Sequence, residues 1–372
     1  MPTLADLTAA FESFAPLALA EPWDNAGLIL GSPEETLDGP VLLAVDLTSR
    51  VADELLASRA SALVAYHPPI FEPISRLDGG DRLNHNILTL ARAGVGVYSP
   101  HTALDNAPDG LNDWLAGTLG EGDIRALRIG SQPGPAMIKI VTFVPADHAD
   151  RVRMALASAG AGRIGRYELC SFNTEGVGTF LPGEGAAPAV GEAGVLRHVP
   201  EVRLEMVCPA SAEAIATETL RGLHPYEEPA FDLFDLRPSP SRNAGAGRRV
   251  MLDQPATIGE LAGRVKRRLG IDKVKIAMPR GDESKPVHRI GVCAGAGASL
   301  TDDALRNDCD LFLTGEMRHH EVMALLRRGV GVILAGHTNT ERPFLKTVGD
   351  RLASLGFDAR VCESDQTSLR WF

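Results

Sequence analysis

The sequence predicts an α/β protein: two similar α/β halves forming one domain, interrupted by a ferredoxin-like α+β insertion. Three observations lead there. Short apolar runs alternate with helically spaced segments towards both ends of the chain, the rhythm of βαβ units around a largely parallel sheet. A central stretch has a different order, strand–helix–strands–helix–strand, which is that of a split βαβ unit. Segments with linker composition flank that centre, at 130–135 and 237–247. The division is therefore 1–134, 135–240 and 241–372, and 372 residues are in any case too many for one ordinary core.

In chain order, 41–47 (VLLAVDL) reads as a buried strand, followed by a helix over 52–57. Residues 62–66 form a second strand that ends at His67, Pro68 and Pro69. Helical spacing over 82–93 leads to a third strand, 95–98, before Ser99, Pro100 and His101, and a helix starts near Leu111. In the insertion, Met137–Val144 and 203–207 are strands, with helices over 151–159 and 212–223. Beyond it come a strand at 290–293, a small-residue loop at 294–299 (AGAGAS) and a helix through Ala304. A strand at 311–313 ends at Thr314, Gly315 and Glu316, a helix covers 321–328, and a strand at 330–334 ends at Gly336 and His337. The last helix spans 342–355.

Hydrophobic residues make up 44% and charged residues 23%, the balance of a folded protein rather than a disordered one. A formal net charge of -11 argues against sequence-independent binding of nucleic acid. The dense basic cluster Lys266, Arg267 and Arg268 reads as the solvated face of a helix. Five scattered cysteines without a C-x-x-C pair exclude a disulfide framework and a thiolate metal site; Cys293 and Cys309 read as buried structural thiols. No apolar stretch is long enough to span a bilayer and no basic segment precedes an apolar run at the start, so the expected location is cytoplasmic, with no membrane partner.

In open α/β sheets, ligands gather beyond the carboxyl ends of strands. His67, His101, Asp105 and His337 fall at or just after such ends, and Glu341 follows His337 by four positions at the start of a helix. Imidazoles with carboxylates suit zinc, iron or manganese, and a carboxylate can bridge two ions. Spacing alone equally allows hydrogen-bonded surface histidines. His319 and His320 follow Glu316 at another strand end, where the two histidines read either as ligand-orienting or proton-carrying groups or as an exposed helix start. The Trp23–Gly27 segment is a turn or a ligand-facing loop, the 294–299 loop is a weak phosphate-cradle signal, and His224–Glu227 reads better as a packed turn than as the lining of an opening.

The motifs PWDNAGLILG at 22–31, YHPPIF at 66–71, SPHTALD at 99–105, TGEMRHH at 314–320 and GHTNTE at 336–341 together resemble the NGG-interacting-factor-like family. Its bacterial members carry the name GTP cyclohydrolase I type 2-like. The insertion resembles the CutA- and PII-like ferredoxin-fold domain of longer members, through RYELCSF at 166–172, GVGTF at 176–180 and HPYEEPAFDL at 224–233. The resemblance implies one metal-binding domain with a dinuclear centre of two divalent ions, and a toroidal homohexamer. Its ligands would be His67, Asp105, His337 and Glu341, with His101, Glu316 and His320 lining the same cavity. Many members have a second histidine where this chain has Tyr66, so either Tyr66 ligates as phenolate, or a water fills the position, or one ion binds weakly; one firm and one looser ion is the expectation. The activity expected is hydrolysis of a nucleotide or related small molecule, with GTP ring opening and formate release as the family's version. A non-enzymatic hexameric scaffold, whose insertion binds an effector or partner, is the alternative.

Overall fold

The strands that carry the candidate site are short and mostly apolar, which lets them lie inside a sheet covered on both faces. The computed structural model describes residues 1–130, 136–165, 167–237 and 243–366. Most of the two expected linkers, and Arg166 at the head of the 166–172 motif, lie outside these residues. Two compact units are present, Met1–Gln132 with Ser241–Phe372, and Pro133–Pro240.

The first unit holds two sheets. One has five strands in the order Gly27–Leu30, Gly96–Ser99, Ala62–Ala65, Val41–Ala44 and Ala359–Val361; all pairings are parallel except that of Gly27–Leu30. The other has six, in the order Lys275–Ala277, Gly331–Leu334, Leu311–Glu316, Val287–Ala296, Gly245–Ala256 and Gly122–Ile129. Only Gly331–Leu334, Leu311–Glu316 and Val287–Ala296 pair in parallel, so a largely parallel arrangement holds for the first sheet and not for the second. Each sheet also takes an edge strand from the other end of the sequence: Gly122–Ile129 joins the later sheet and Ala359–Val361 the earlier one. The Gly130 N–H donates to the Ala244 carbonyl, so the chain leaves the first unit and returns to it at adjacent points.

One apolar core joins both sheets, with Leu43, Val64, Tyr98, Val250, Val292, Leu313 and Ile333 among its members. Helix Leu4–Phe14 adds Leu4, Leu7 and Phe11 on one stripe, its start fixed by a capping box between Thr3 and Asp6. Helix Ile258–Leu269 is capped likewise by Thr257 and Glu260 and ends at Gly270, whose φ of +67° provides the left-handed stop. The basic cluster occupies its last turn, where Arg268 lies 4.5 Å over the Trp114 ring.

Two local expectations change. The strand before the 294–299 loop continues to Ala296, with a bulge between Cys293 and Ala296. His337 to Glu341 form a turn rather than a helical first turn, because the helix begins later, as a tight Arg342–Phe344 turn around Pro343 and then Leu345–Ser354.

The second unit is a four-stranded antiparallel sheet, in the order Phe172–Phe180, Arg197–Pro209, Met137–Val144 and Phe231–Leu236. Helices Ala149–Ser158 and Glu213–Leu223 pack on one face through Val152, Leu156, Ala216 and Leu220, against Ile138, Ile140, Leu204 and Met206. Alternation along Arg197–Pro209 puts Glu201 and Arg203 on the opposite face.

Candidate metal centre

The turns after strands Val41–Ala44 and Ala62–Ala65 carry Asp46 and His67, and helix His101–Asn106 starts with His101 after strand Gly96–Ser99. The groups that meet them are Glu316, which ends strand Leu311–Glu316, and His337 and Glu341 in the turn after Gly331–Leu334. Among the described residues, His67, His337 and Glu341 form one group of converging donor atoms. The Glu341 Oε1 lies 3.5 Å from His67 Nε2 and 3.2 Å from His337 Nε2. Each imidazole is steered from behind: His67 Nδ1 sits 2.9 Å from Asp46, and His337 Nδ1 sits 3.0 Å from Glu316. A carboxylate on the far nitrogen fixes the ring and its tautomer and raises its basicity, the arrangement found behind metal-ligating histidines.

Burial opposes charge on His67, but its hydrogen bonds to Asp46 and Glu341 prevail and raise its pKa to about 10. The Glu341 hydrogen bond is the main reason that His337 rises to about 9, against its own burial. Burial alone would push Glu341 up; the two imidazoles overcome it and hold the carboxyl below its ordinary value.

The donor set fits a cation on two further observations. Glu341 is 4% exposed, and its Oε2 is buried with no hydrogen-bond partner. A buried carboxylate oxygen without a donor costs free energy that a cation would recover. Gly295 opens the other side: at φ +61°, a Cβ there would lie 2.5 Å from Glu341 Oε1 and 3.2 Å from His337 Nε2. Thr340 holds this glycine by accepting its N–H at 2.9 Å.

Asp105 lies outside the three-residue group. Its Oδ1 accepts the Tyr66 hydroxyl, and burial raises the carboxyl to about 6, partly offset by His101 and that hydrogen bond. Tyr66 is itself buried, and burial followed by Asp105 and Glu341 drives its pKa well above the ordinary phenol. The hydroxyl therefore stays protonated and acts as a donor to Asp105. His101 stands beside them, its ring centroid 5.8 Å from Tyr66 and 5.4 Å from His67. It has φ +27°, a costly conformation for a residue with a side chain, worth about 1–3 kcal/mol. Asp24 holds it there, 2.6 Å from its Nδ1, while also accepting the Thr102 hydroxyl and N–H. Trp23 and Phe71 lie 6.1 Å apart and within 6.3 Å of His101, both largely exposed. Cys293, expected to be merely structural, has its pKa raised by burial and then by Asp105 and Glu341, which places it in the same electrostatic neighbourhood.

Glu316 thus orients His337. His319 and His320 are exposed on the first turn of helix His319–Arg327 and make no hydrogen bond or ring contact with the group. Sequence reasoning missed Asp46, which was within reach as the first polar side chain after a buried strand. It placed Asp24 and Gly295 in loops that could face a ligand but gave neither its role, because their partners lie 77 and 46 residues away.

Residues 2–368 match the family model described as Duf34/NIF3 (NGG1p interacting factor 3). The chain belongs to this family. Similar Duf34/NIF3 relatives include a "GTP cyclohydrolase 1 type 2 homolog" of Halalkalibacterium halodurans, 33% identical over 345 residues, covering 93% of this chain and 91% of that one. Another, from Mycobacterium tuberculosis, is 34% identical over 364 residues, covering 96% and 94%. The crystal structure of a Bacillus cereus protein related to NIF3 has a TM-score of 0.76 at 30% identity, covering 100% of this chain and 99% of that one. No helix among the described residues is long and apolar enough to cross a membrane.

Proposed function

We propose that this Duf34/NIF3 chain is a metal-dependent hydrolase acting on a nucleotide or related small molecule. The observation that carries the reading is the buried Glu341 carboxylate, set between two carboxylate-backed imidazoles with one oxygen unsatisfied. His67, His337 and Glu341 would hold one divalent ion, zinc, iron or manganese. Asp105, with Glu341, would contribute to a second and looser one, for which Tyr66 competes through its hydrogen bond. Bound ions would supply Lewis acidity at a carbon or phosphorus centre.

The chain's own residues divide the remaining work. Asp46 and Glu316 keep the two imidazoles turned inward. His101, held by Asp24, is the proton-handling group. Trp23 and Phe71 offer exposed aromatic faces on which a purine would stack, worth about 1–3 kcal/mol per base.

The names of the relatives point to GTP. In that reaction, water adds at C8 of guanine and opens the imidazole ring, and a second hydrolysis releases C8 as formate. Protein loaded in turn with zinc, iron(II) and manganese should release formate from GTP, and Glu341→Ala should slow it by about a hundredfold or more. Formate at no more than the Glu341→Ala rate with all three ions would reject the reaction. We also read the 133–240 unit as a ferredoxin-like insertion and the assembly as a homohexamer. Sedimentation equilibrium should give six times the chain mass, and a single species of one or two chains would refute it.

A further inference from the structure

The 133–240 unit contains a cavity of about 610 Å³, in the range of small-molecule sites. It lies on the sheet face opposite the two helices, walled by strand Phe172–Phe180 and by the Tyr226–Ala230 and Pro182–Val190 segments. Phe143, Phe180 and Tyr226 give it aromatic walls, the last two with ring centroids 6.3 Å apart. Gly176 and Gly178 keep the strand wall low, and a Cβ on Gly178 would collide with the Glu201 carboxylate.

Glu201 is 9% exposed although it lines the cavity. The Tyr226 hydroxyl donates to its Oε1 at 2.7 Å, and no described residue donates to its Oε2. The other charged groups of the lining are Glu175, Glu227, Glu228 and Arg203, and Arg203 is paired with Glu205 at 2.9 Å. Four carboxylates face one guanidinium, whose partner Glu205 also pairs with Lys139 at 2.8 Å. Apolar and aromatic walls with a negative potential and a buried, half-satisfied carboxylate are the chemistry that recognises an organic cation.

We propose that this cavity binds an organic ammonium compound, an amine carried on an aromatic or aliphatic body, with Glu201 as its anchor. The His224 imidazole supports the wall rather than the ligand: its Nε2 meets the Phe143 carbonyl at 3.1 Å, and its Nδ1 accepts the Tyr226 N–H at 3.1 Å. The inference stands apart from the metal chemistry, because the site lies wholly within the inserted unit and its test reads binding, not turnover.

Titration calorimetry of the full chain with tryptamine and with indole-3-acetate compares the same ring bearing opposite charges. Tryptamine should bind about tenfold or more tightly than indole-3-acetate. Glu201→Gln, which keeps an acceptor for Tyr226, should remove most of that preference without shifting the melting temperature. Equal affinity for the two probes, no saturable tryptamine binding, or an unchanged preference in a folded Glu201→Gln would each overturn the assignment. The wild-type comparison decides the matter alone if the variant does not fold.

Discussion

Glu341→Gln should lower the affinity of the first unit for a divalent ion by about a hundredfold or more, since even the groups behind a ligand are worth about 10–100-fold. The amide retains shape and an acceptor oxygen but loses the charge that both imidazoles face. The same charge controls the pH dependence. His67 and His337 must be neutral to ligate, and their pKa values lie at about 10 and about 9. Both therefore hold protons at neutral pH, and binding must expel them. The logarithm of the affinity should climb by about two per pH unit below pH 9 and level off above about pH 10. Participation of Asp105, whose carboxyl titrates at about 6, would steepen the slope in more acid solution. In Glu341→Gln the two histidines lose a principal source of their raised basicity, so the slope should flatten near neutrality. Competition against a chelating dye across this range measures both quantities. Wild-type affinity with a wild-type slope in the variant would remove Glu341 from the site.

How far this centre could be foreseen depends on which partners lie near in sequence. His67 and His337 stand where short apolar strands end, and Glu341 is four residues from His337, so position and spacing singled them out. Their orienting carboxylates are reached only through the fold: Asp46 is 21 residues from His67, Glu316 is 21 from His337, and Asp24 is 77 from His101. The apolar parallel strands were legible because burial on both faces demands uninterrupted hydrophobic runs. Gly122–Ile129 and Gly245–Ala256 were not, since each mixes arginines with glycine and owes its conformation to pairing with a strand far along the chain. Tyr66 was singled out as a departure from the histidine found in many relatives, whereas its donation to Asp105 required both side chains to be placed. His224–Glu227 illustrates a split outcome. His224 is the packed turn expected, while Tyr226 and Glu227 line a cavity that depends on loops whose composition carried no signal.

Arg248→Met should destabilise the first unit by about 3 kcal/mol, towards the low end for a broken buried ion pair because its partner retains some water. Arg248 is fully buried in strand Gly245–Ala256, and its guanidinium grips both carboxylate oxygens of Asp113, at 2.6 and 2.9 Å. It also donates to the carbonyls of Ala107, Gly245 and Gly247, so every face of the fork is used. Methionine fills much of the volume but leaves Asp113, 21% exposed, with the Asp109 N–H and no cation, and three carbonyls without the guanidinium. Asp113 lies on helix Leu111–Ala116, whose Asn112 donates to the Asp105 carbonyl and accepts the Ala294 N–H. The clamp therefore fixes the helix that positions Asp105 on one side and the Gly295 bulge on the other. Urea unfolding followed by tryptophan fluorescence, to which Trp114 on the same helix contributes, reports the loss. Arg248→Lys should recover little, because one ammonium cannot serve a bidentate carboxylate and three carbonyls at once. A loss below about 1 kcal/mol in Arg248→Met would equate the pair with an exposed surface bridge. The Asn112 hydrogen bonds and apolar packing would then hold Asp105 and the Gly295 bulge in register without the clamp.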